Sequence, residues 1–578
     1  MLRYLTIVSF AILVLSESAA AQPSDALAGL WKATQDNGPA VKGAVIVARN
    51  PSGWMASAGG RSAAISAHGN DLSFTLPGNQ GRFRGELRGG AVDGFWIQPA
   101  TRNLGVEHAS PIHLASVGQD RWRGEIVPLP DRLAVYLSIA RNSDGKLAAF
   151  LRNPELNLGR GRALAVAFDG NAVSLSFEKT GQVVMKGKLD RRNQSLALEY
   201  PGQSLSLAFV RSAAGAGFLP RDDQNYSYRE PVAGSDGWSV STLREEGIDE
   251  AAISALVKRI LVTPPGPDTP YIDSLLIARH DRLVLDEYFN GFDRNAPHSL
   301  RSASKTVTAM LFGAAVTHGT KLSPDTRALP LFPEYGATRH PDPRKDRITA
   351  GNLMSMTSGL ACNDDDDGSP GNEDTMQSQT AEDDWYRYIL DLPIVVAPGT
   401  KAAYCSGGVN LAGGMIARAA HRPLLDQFDE YLARPLGIDL YYANLTPAGD
   451  MYGGGGLTLR PRDALKFGQL YLDGGVWNGH RLVGKDWIER STSTHSQMHA
   501  DSTYGYNWWL FKVRVGDRVY DEWEAGGNGG QFIDVIPALD LVVGATGGNY
   551  GRFDLWYRFQ TDVLPKVILS AVAAKAPD

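Results

Sequence analysis

Ser302–Ala303–Ser304–Lys305 opens the stretch "SKTVTAMLFGAAVTHG", which reads as an apolar helix. A serine and a lysine three apart at a helix start lie one turn apart on one side, so the amine reaches the hydroxyl. A serine hydroxyl is a weak nucleophile until a neighbouring base takes its proton. A lysine serves as that base where desolvation or nearby positive charge keeps it partly neutral. The spacing alone decides nothing, because Ser143–Lys146 ("SDGK") and Ser176–Lys179 ("SFEK") repeat it. The first reads as a turn and the second as a strand, where side chains three apart point to opposite faces. Only Ser302 and Lys305 precede a helix.

Other residue types offer weaker chemistry. Cys362 and Cys405 are the two cysteines; parity and an oxidising compartment favour one bridge between them, and two thiols cannot build a four-ligand zinc site. Aligning Gly368 with an EF-hand glycine places Asn363, Asp365, Asp367 and Asp374 in calcium-ligand spacing, but the last position is not Glu and the flanks are poor. A solvated rim is the preferred reading of that Asp-rich loop. His495 and His499 have helical ligand spacing without an HExxH motif, in loop-like surroundings. No metal and no cofactor are expected. The sequence contains no GxSxG elbow, which argues against an α/β-hydrolase.

The elements that must position these residues fall into two textures. From Ala26 to about Arg211 short alternating strands succeed one another, separated by Gly, Asn and Asp turns. "LSFTLPGNQGRFRGELRGG" and "VSLSFEKTGQVVMKGKLDRR" share their spacing of strands and turns, which hints at two similar halves. The expectation for 22–212 is an all-β, lipocalin-like barrel, with a sandwich as the alternative. Residues 213–242 read as a linker that drapes over the next domain. From 243 to 578 helices lie between strands at both ends, which predicts an α/β (α+β) domain whose antiparallel sheet is built from both ends beside a helical region. The chain is thus multidomain, as 578 residues at roughly 150 per domain suggest.

Arg3, the apolar run 5–15 and Ala19–Ala20–Ala21 form an export signal with cleavage expected after Ala21, so residues 1–21 are set apart and the mature protein is expected to be periplasmic or extracellular. The run is too short for a comfortable membrane span, so no membrane anchor is expected. With 57 Lys+Arg against 63 Asp+Glu and a net charge of -6, nothing draws the chain generally to nucleic acid.

Taken in order, "SASK", "ITAGNLMSMTSGL", "PGTKAAYCSGGVNLAGGMI", "GGGGLTLRPRDALKFGQLYLDGG" and "GGQFIDVIPALDLVV" resemble the serine β-lactamase/penicillin-binding-protein superfamily, in its class C-like branch. The resemblance runs from about Ser241 to Val572, and in "YCS" the chain is most similar to 6-aminohexanoate-dimer hydrolases, with family VIII carboxylesterases also in that branch. It implies Ser302 as acylated nucleophile, Lys305 as its proton acceptor, and Tyr404 as a second proton carrier whose phenolate is favoured by close ammonium groups. Ser406 then stands where β-lactamases commonly have Asn, and is expected at the substrate. The Lys-Thr-Gly position falls on Ala525–Gly526–Gly527, so Gly527 is expected against substrate and the backbone N–H of Asn528 pairs with that of Ser302 as an oxyanion hole. A slipped registration would use Asn528–Gly529–Gly530 and Gln531. In neither is there the cation that holds a substrate carboxylate.

Trp508, in "YGYNWW", is expected to line the pocket. A Cys362–Cys405 bridge would tie the Asp-rich loop to the active-site helix. The implied function is cleavage of a small-molecule or short oligomeric ester or amide. The rivals are a penicillin-binding D,D-peptidase or β-lactamase, and a non-catalytic protein binding a ligand in its barrel.

Overall fold

The computed structural model describes residues 26–573 apart from 37–39, 52, 102–104, 131, 154–162, 203–205, 214–224, 264, 265 and 267. The export segment lies outside the described residues.

Eight strands close the expected barrel: Gly29–Asp36, Arg132–Arg141, Leu147–Arg152, Leu164–Asp169, Ala172–Phe177, Val183–Asp190, Ser195–Glu199 and Ser206–Arg211. Alternation directs Val173, Leu175, Leu196, Leu198, Leu207 and Phe209 inward, all of them buried. Gly187 is required where strands approach closely, because a Cβ there would stand 1.8 Å from the Ala197 carbonyl oxygen. The Arg211 guanidinium lies 4.0 Å from the centre of the Trp31 ring.

The strands between these do not join that barrel. Nine strands from Gly43–Asn50 to Arg121–Ile126 form a second antiparallel sheet around Val45, Val47, Phe83, Trp96, Leu114 and Trp122. Its two edges, Arg61–Ala64 and Ser66–His68, are consecutive lengths of chain parted only by Ile65. The first pairs back onto Gly53–Ala58 and the second forward onto Asp71–Thr75, so one stretch of chain serves both ends of a strongly curved sheet. The two segments of similar spacing are equivalent hairpins, Asp71–Thr75 with Arg82–Arg88 here and Ala172–Phe177 with Val183–Asp190 in the barrel.

One strand of the second sheet carries its hydrogen bonding further. His108 and Ala109 pair with Asn444 and Ala443; Tyr441–Asn444 pairs with Leu457–Leu459, which pairs with His298–Ser299. The ladder ends three residues before Ser302.

The later region is built on a nine-stranded sheet. Its order runs Ser239–Val240, Arg282–Tyr288, Ile272–Arg279, Leu541–Gly547, Gln531–Ile536, Arg518–Gly527, Trp509–Val515, Ser502–Tyr504, Ser496–His499, so both ends of the region contribute as expected. Its central strands are buried on both faces and mostly apolar, with Asp273, Gln531 and Asp534 among the buried exceptions. Leu275 and Ile277 pack against helix Glu250–Val262 and the C-terminal helix, while Leu276 and Ala278 face Leu465 and the helix Lys305–Thr317. Before the edge strand Ser239–Val240, Trp238 donates its indole N–H to the Arg462 carbonyl at 3.0 Å. No helix of the described residues is long and apolar enough to cross a membrane.

Helix Lys305–Thr317 is buried on all sides over its first three turns, which explains its apolar composition. Gly313 admits the Trp487 indole, whose Nε1 donates to the Ala309 carbonyl at 2.9 Å; a Cβ at Gly313 would lie 2.1 Å from that ring. Gly313→Ala, a change that stabilises an exposed helix, is therefore expected to destabilise this protein by about 1–3 kcal/mol through overpacking, read as a lower urea midpoint at unchanged slope.

Candidate active site

Ser302 sits in a single 3₁₀ turn, Arg301–Ser304, that leads into the buried helix. Arg301 is held at φ +50, a left-handed conformation that costs a non-glycine residue about 1–2 kcal/mol. The turn is fixed by Ser304, whose hydroxyl donates to the Arg301 carbonyl at 2.5 Å and accepts from the Leu457 N–H at 3.2 Å. The next turn is anchored by Asn507, whose side-chain amide donates to the Lys305 carbonyl at 3.0 Å. Lys305 is 1% exposed, and its Nζ donates to Ser302 Oγ at 2.8 Å.

Tyr404 precedes the helix Ser406–Ala419 and presents its ring to the same ammonium, 4.9 Å from Nζ to the ring centre. Trp509 stacks on that ring at 5.7 Å and Tyr504 meets it edge-on at 6.4 Å. Burial pushes the Tyr404 phenol above its usual 10; Lys305 and the hydrogen bond with Ser302 recover only part of that. For Lys305, burial pulls downward, but Tyr404, Glu373 and Asp364 outweigh it and the net direction is up. The expectation from sequence is of cationic surroundings that free the lysine and ionise the phenol. The neighbours are anionic instead, so the resting pair is an ammonium beside a neutral phenol. Loss of one proton from the pair generates the base, and its apparent pKa belongs to both groups.

Asp364 carries no signal of its own in the sequence. Its Oδ2 accepts from the Ser406 N–H at 2.7 Å and the Ser406 hydroxyl at 2.6 Å, and its own N–H donates to the Tyr404 carbonyl at 2.7 Å. Burial and then Glu373 raise its carboxyl to about 6, against the pull of Lys305 and Ser406. Glu373 donates its N–H to Asp364 Oδ1 at 2.9 Å and accepts from the Tyr452 hydroxyl at 2.7 Å. Ser406 is fully buried and its hydroxyl is engaged by Asp364, which corrects the expectation that it meets substrate. The signal available in sequence was Cys362. The Cys362–Cys405 disulfide is present, with Cα atoms 5.4 Å apart, and a residue two beyond one cysteine must then lie near the residues flanking the other.

Ser302, Tyr404, Gly527 and Asn528 line one cavity of about 280 Å³. A Cβ on Gly527 would stand 2.4 Å from the Leu300 carbonyl oxygen and 3.0 Å from the Ala303 nitrogen, so only glycine lets this strand end approach the nucleophile turn. Asn528 lines the cavity, whereas Gln531 is fully buried and paired with Gly527 within the sheet, which favours the registration that uses Asn528 over the slipped one. Trp508 is fully buried, its ring 4.6 Å from that of Tyr471. The pocket residue is its neighbour Trp509, the first residue of the strand Trp509–Val515. His499 lines the cavity and stacks on Trp509, whereas His495 stacks on Tyr506. In the Asp-rich loop Asn363 and Asp366 cap turns by accepting from Asp365 N–H and Gly368 N–H, and Asp365 to Asp367 are exposed. Among the described residues, the acids whose ligand atoms do gather within 4.8 Å are Glu522, Glu524 and Asp534.

This geometry has two testable outcomes. Asp364→Asn removes a negative charge that raises both Lys305 and Tyr404, so the pH midpoint for labelling of Ser302 by a fluorophosphonate should move downward; an unmoved midpoint would show that the carboxylate acts only as a structural acceptor. Replacing both Cys362 and Cys405 by Ala frees a loop of 43 residues in separation. On the chain-entropy account this costs about 4 kcal/mol, measurable as a lower Tm, with slower labelling of Ser302 because Asp364 and Tyr404 lose their tie.

Comparison with known proteins fits this arrangement. The family model described as Beta-lactamase matches residues 273–551. A 6-aminohexanoate-dimer hydrolase of Paenarthrobacter ureafaciens is 24% identical over 38% of this chain and 56% of its own. The D-alanyl-D-alanine-carboxypeptidase/endopeptidase AmpH of Escherichia coli K12 is 27% identical over 44% of this chain and 65% of its own. The chain thus spans between about half and two thirds of these relatives. Among solved structures, a penicillin-binding protein homologue from Caulobacter crescentus has a TM-score of 0.43 at 15% identity, covering 60% of this chain and all of that one. Residues 273–551, the stretch that holds Ser302, Lys305 and Tyr404, are thus a Beta-lactamase family domain.

Proposed function

We propose that this protein is an exported serine hydrolase that cleaves ester or amide bonds of small or medium substrates through an acyl-enzyme on Ser302. The observation that carries the reading is the 2.8 Å contact from a fully buried lysine to a serine hydroxyl at the wall of a cavity. In the first half-reaction Ser302 Oγ bonds to the carbonyl carbon and its proton passes to the deprotonated Lys305–Tyr404 pair. The backbone N–H groups of Ser302 and Asn528 receive the negative charge on the carbonyl oxygen. Collapse breaks the bond to the alcohol or amine, which leaves with the proton from the pair. Water then gives a proton to the pair, adds to the acyl carbon and releases the acid and Ser302 with its hydroxyl restored.

The 6-aminohexanoate-dimer hydrolase relative supports amide cleavage, and the AmpH relative supports the rival reading as a peptidase. Against efficient β-lactam or D-Ala-D-Ala recognition stands the cavity wall, where no Lys or Arg occurs among the described lining residues. A charged hydrogen bond to a substrate carboxylate is worth about 1.5–3 kcal/mol, and no Lys or Arg among those lining residues supplies one. Export is supported by the segment from Arg3 to Ala21 and by the disulfide, which suits an oxidising compartment.

The test is intact-mass spectrometry after fluorophosphonate treatment, with p-nitrophenyl butyrate and nitrocefin assayed in parallel. One adduct, lost in Ser302→Ala, with ester turnover and little nitrocefin cleavage is expected. Lys305→Ala and Tyr404→Phe should each slow acylation by about 10²–10⁴-fold. Fast nitrocefin turnover would move the β-lactamase reading to first place, and no adduct on folded protein would favour the non-catalytic one.

A further inference from the structure

The cavity that exposes Ser302 has an unusual wall. Five aromatic rings besides Tyr404 line it: Trp509, Phe511, Phe553, Trp556 and Tyr557. They form two groups. Trp509 and Phe511, stacked 6.3 Å apart, come from one strand. Phe553 lies edge-on to Trp556 at 4.7 Å and stacked on Tyr557 at 4.8 Å, in and just after the short helix Phe553–Trp556. Phe553 is 59% exposed, so its ring is open to an incoming ligand.

The ionisable side chains lining the same cavity are three carboxyls, the Tyr404 and Tyr557 phenols and the His499 imidazole. Asp365, Asp501 and Glu524 line it, while no Lys or Arg does among the described lining residues. Glu524 is 5% exposed and its Oε2 has no hydrogen-bond partner. Behind it Asp534 lies directly opposite on the next strand and Glu522 two residues away on the same face. Like charges directly opposed across a ladder repel. Burial and this repulsion raise the carboxyls of Glu522 and Glu524 well above the usual range, and burial raises that of Asp534 to about 7, so a cation brought to the open side of Glu524 would favour its ionised form. Asp364 and Glu373 add negative charge behind Tyr404, with Lys305 as the cation set against them. Low-dielectric aromatic walls focus a field of this sign into the cavity.

From this we infer that the pocket selects substrates bearing an alkylammonium group beside the scissile ester or amide, the ammonium lying against the aromatic faces with the carboxylates around it. Aromatic faces attract a weakly hydrated cation through their quadrupoles, without requiring it to donate hydrogen bonds. The same wall opposes a substrate carboxylate at this end. The inference rests on the proposed hydrolase reading but concerns which substrate that site takes.

The experiment compares butyrylcholine with 3,3-dimethylbutyl butyrate, in which carbon replaces the charged nitrogen at almost the same shape. At low salt the cationic ester should show about tenfold higher kcat/KM, the size of one favourable cation–π site. Asp501→Asn and Trp556→Leu should each reduce that ratio at least about threefold, and 0.5 M NaCl should reduce it by screening. A ratio at or below one, with Ser302 still labelled by a fluorophosphonate, would overturn the cation selectivity and leave the hydrolase reading intact. Should Ser302 fail to label and neither ester turn over, choline and 3,3-dimethylbutanol are titrated against the tryptophan fluorescence of the unmodified protein. Choline binding about tenfold tighter supports the pocket assignment; equal or weaker binding overturns it.

Discussion

Everything around the candidate site depends on a lysine ammonium taken out of water. Lys305 is 1% exposed, and a buried ammonium is tolerated only where anions and hydrogen-bond acceptors replace its hydration. Ser302 Oγ supplies one acceptor, the Tyr404 ring a face, and Asp364 and Glu373 the negative charge. The carboxylates in turn need partners, which come from the Ser406 N–H and hydroxyl and from the Tyr452 hydroxyl. Each satisfied group fixes the next. The disulfide, the Asp-rich loop and the start of helix Ser406–Ala419 are thus parts of one electrostatic arrangement rather than separate features of the rim.

The arrangement also sets what proton chemistry is possible. With cationic neighbours, a lysine deprotonates easily and a nearby phenol ionises. With anionic neighbours, both groups keep their protons and release one jointly at higher pH. The geometry of nucleophile and base can be the same in both cases while the working range of pH differs. The cation absent from the cavity wall and the carboxylates present behind Tyr404 act in the same direction.

The nucleophile pair was legible because the helix after Lys305 is apolar on every side and so could only be buried. The barrel strands were legible from alternation, and the sheet made from both ends of the later region from apolar runs such as "LVVGAT". Alternation cannot tell which strands share a sheet, and so one barrel was read where a closed barrel and a second curved sheet exist. Ser406 was misread because type and position in a motif do not reveal which neighbour reaches the hydroxyl first; Asp364, 42 residues away in sequence, does so. The expectation for Trp508 falls on Trp509 for a simpler reason: the strand begins at Trp509, and the sequence "NWW" does not show which of two adjacent rings turns to the cavity.

The N-terminal sheet is coupled to the nucleophile by backbone hydrogen bonds. His108 and Ala109 pair with Tyr441–Asn444, that strand with Leu457–Leu459, and that one with His298–Ser299, three residues from Ser302. Leu457 then closes the connection twice, its carbonyl accepting from the Leu300 N–H at 2.9 Å and its own N–H donating to Ser304 Oγ at 3.2 Å. His108 is buried at the far end, where desolvation lowers its pKa to about 4 and keeps the ring neutral, so this histidine adds no charge to the junction near neutral pH. A two-residue strand such as His298–Ser299 has too few ladder bonds to hold its position alone. Its place is held by pairing with Leu457–Leu459 and by the buried His298 ring, 3.5 Å from Asp273 Oδ2, and the ladder that reaches it starts in the N-terminal sheet. That sheet is therefore continuous, through backbone hydrogen bonds, with the scaffold around the nucleophile.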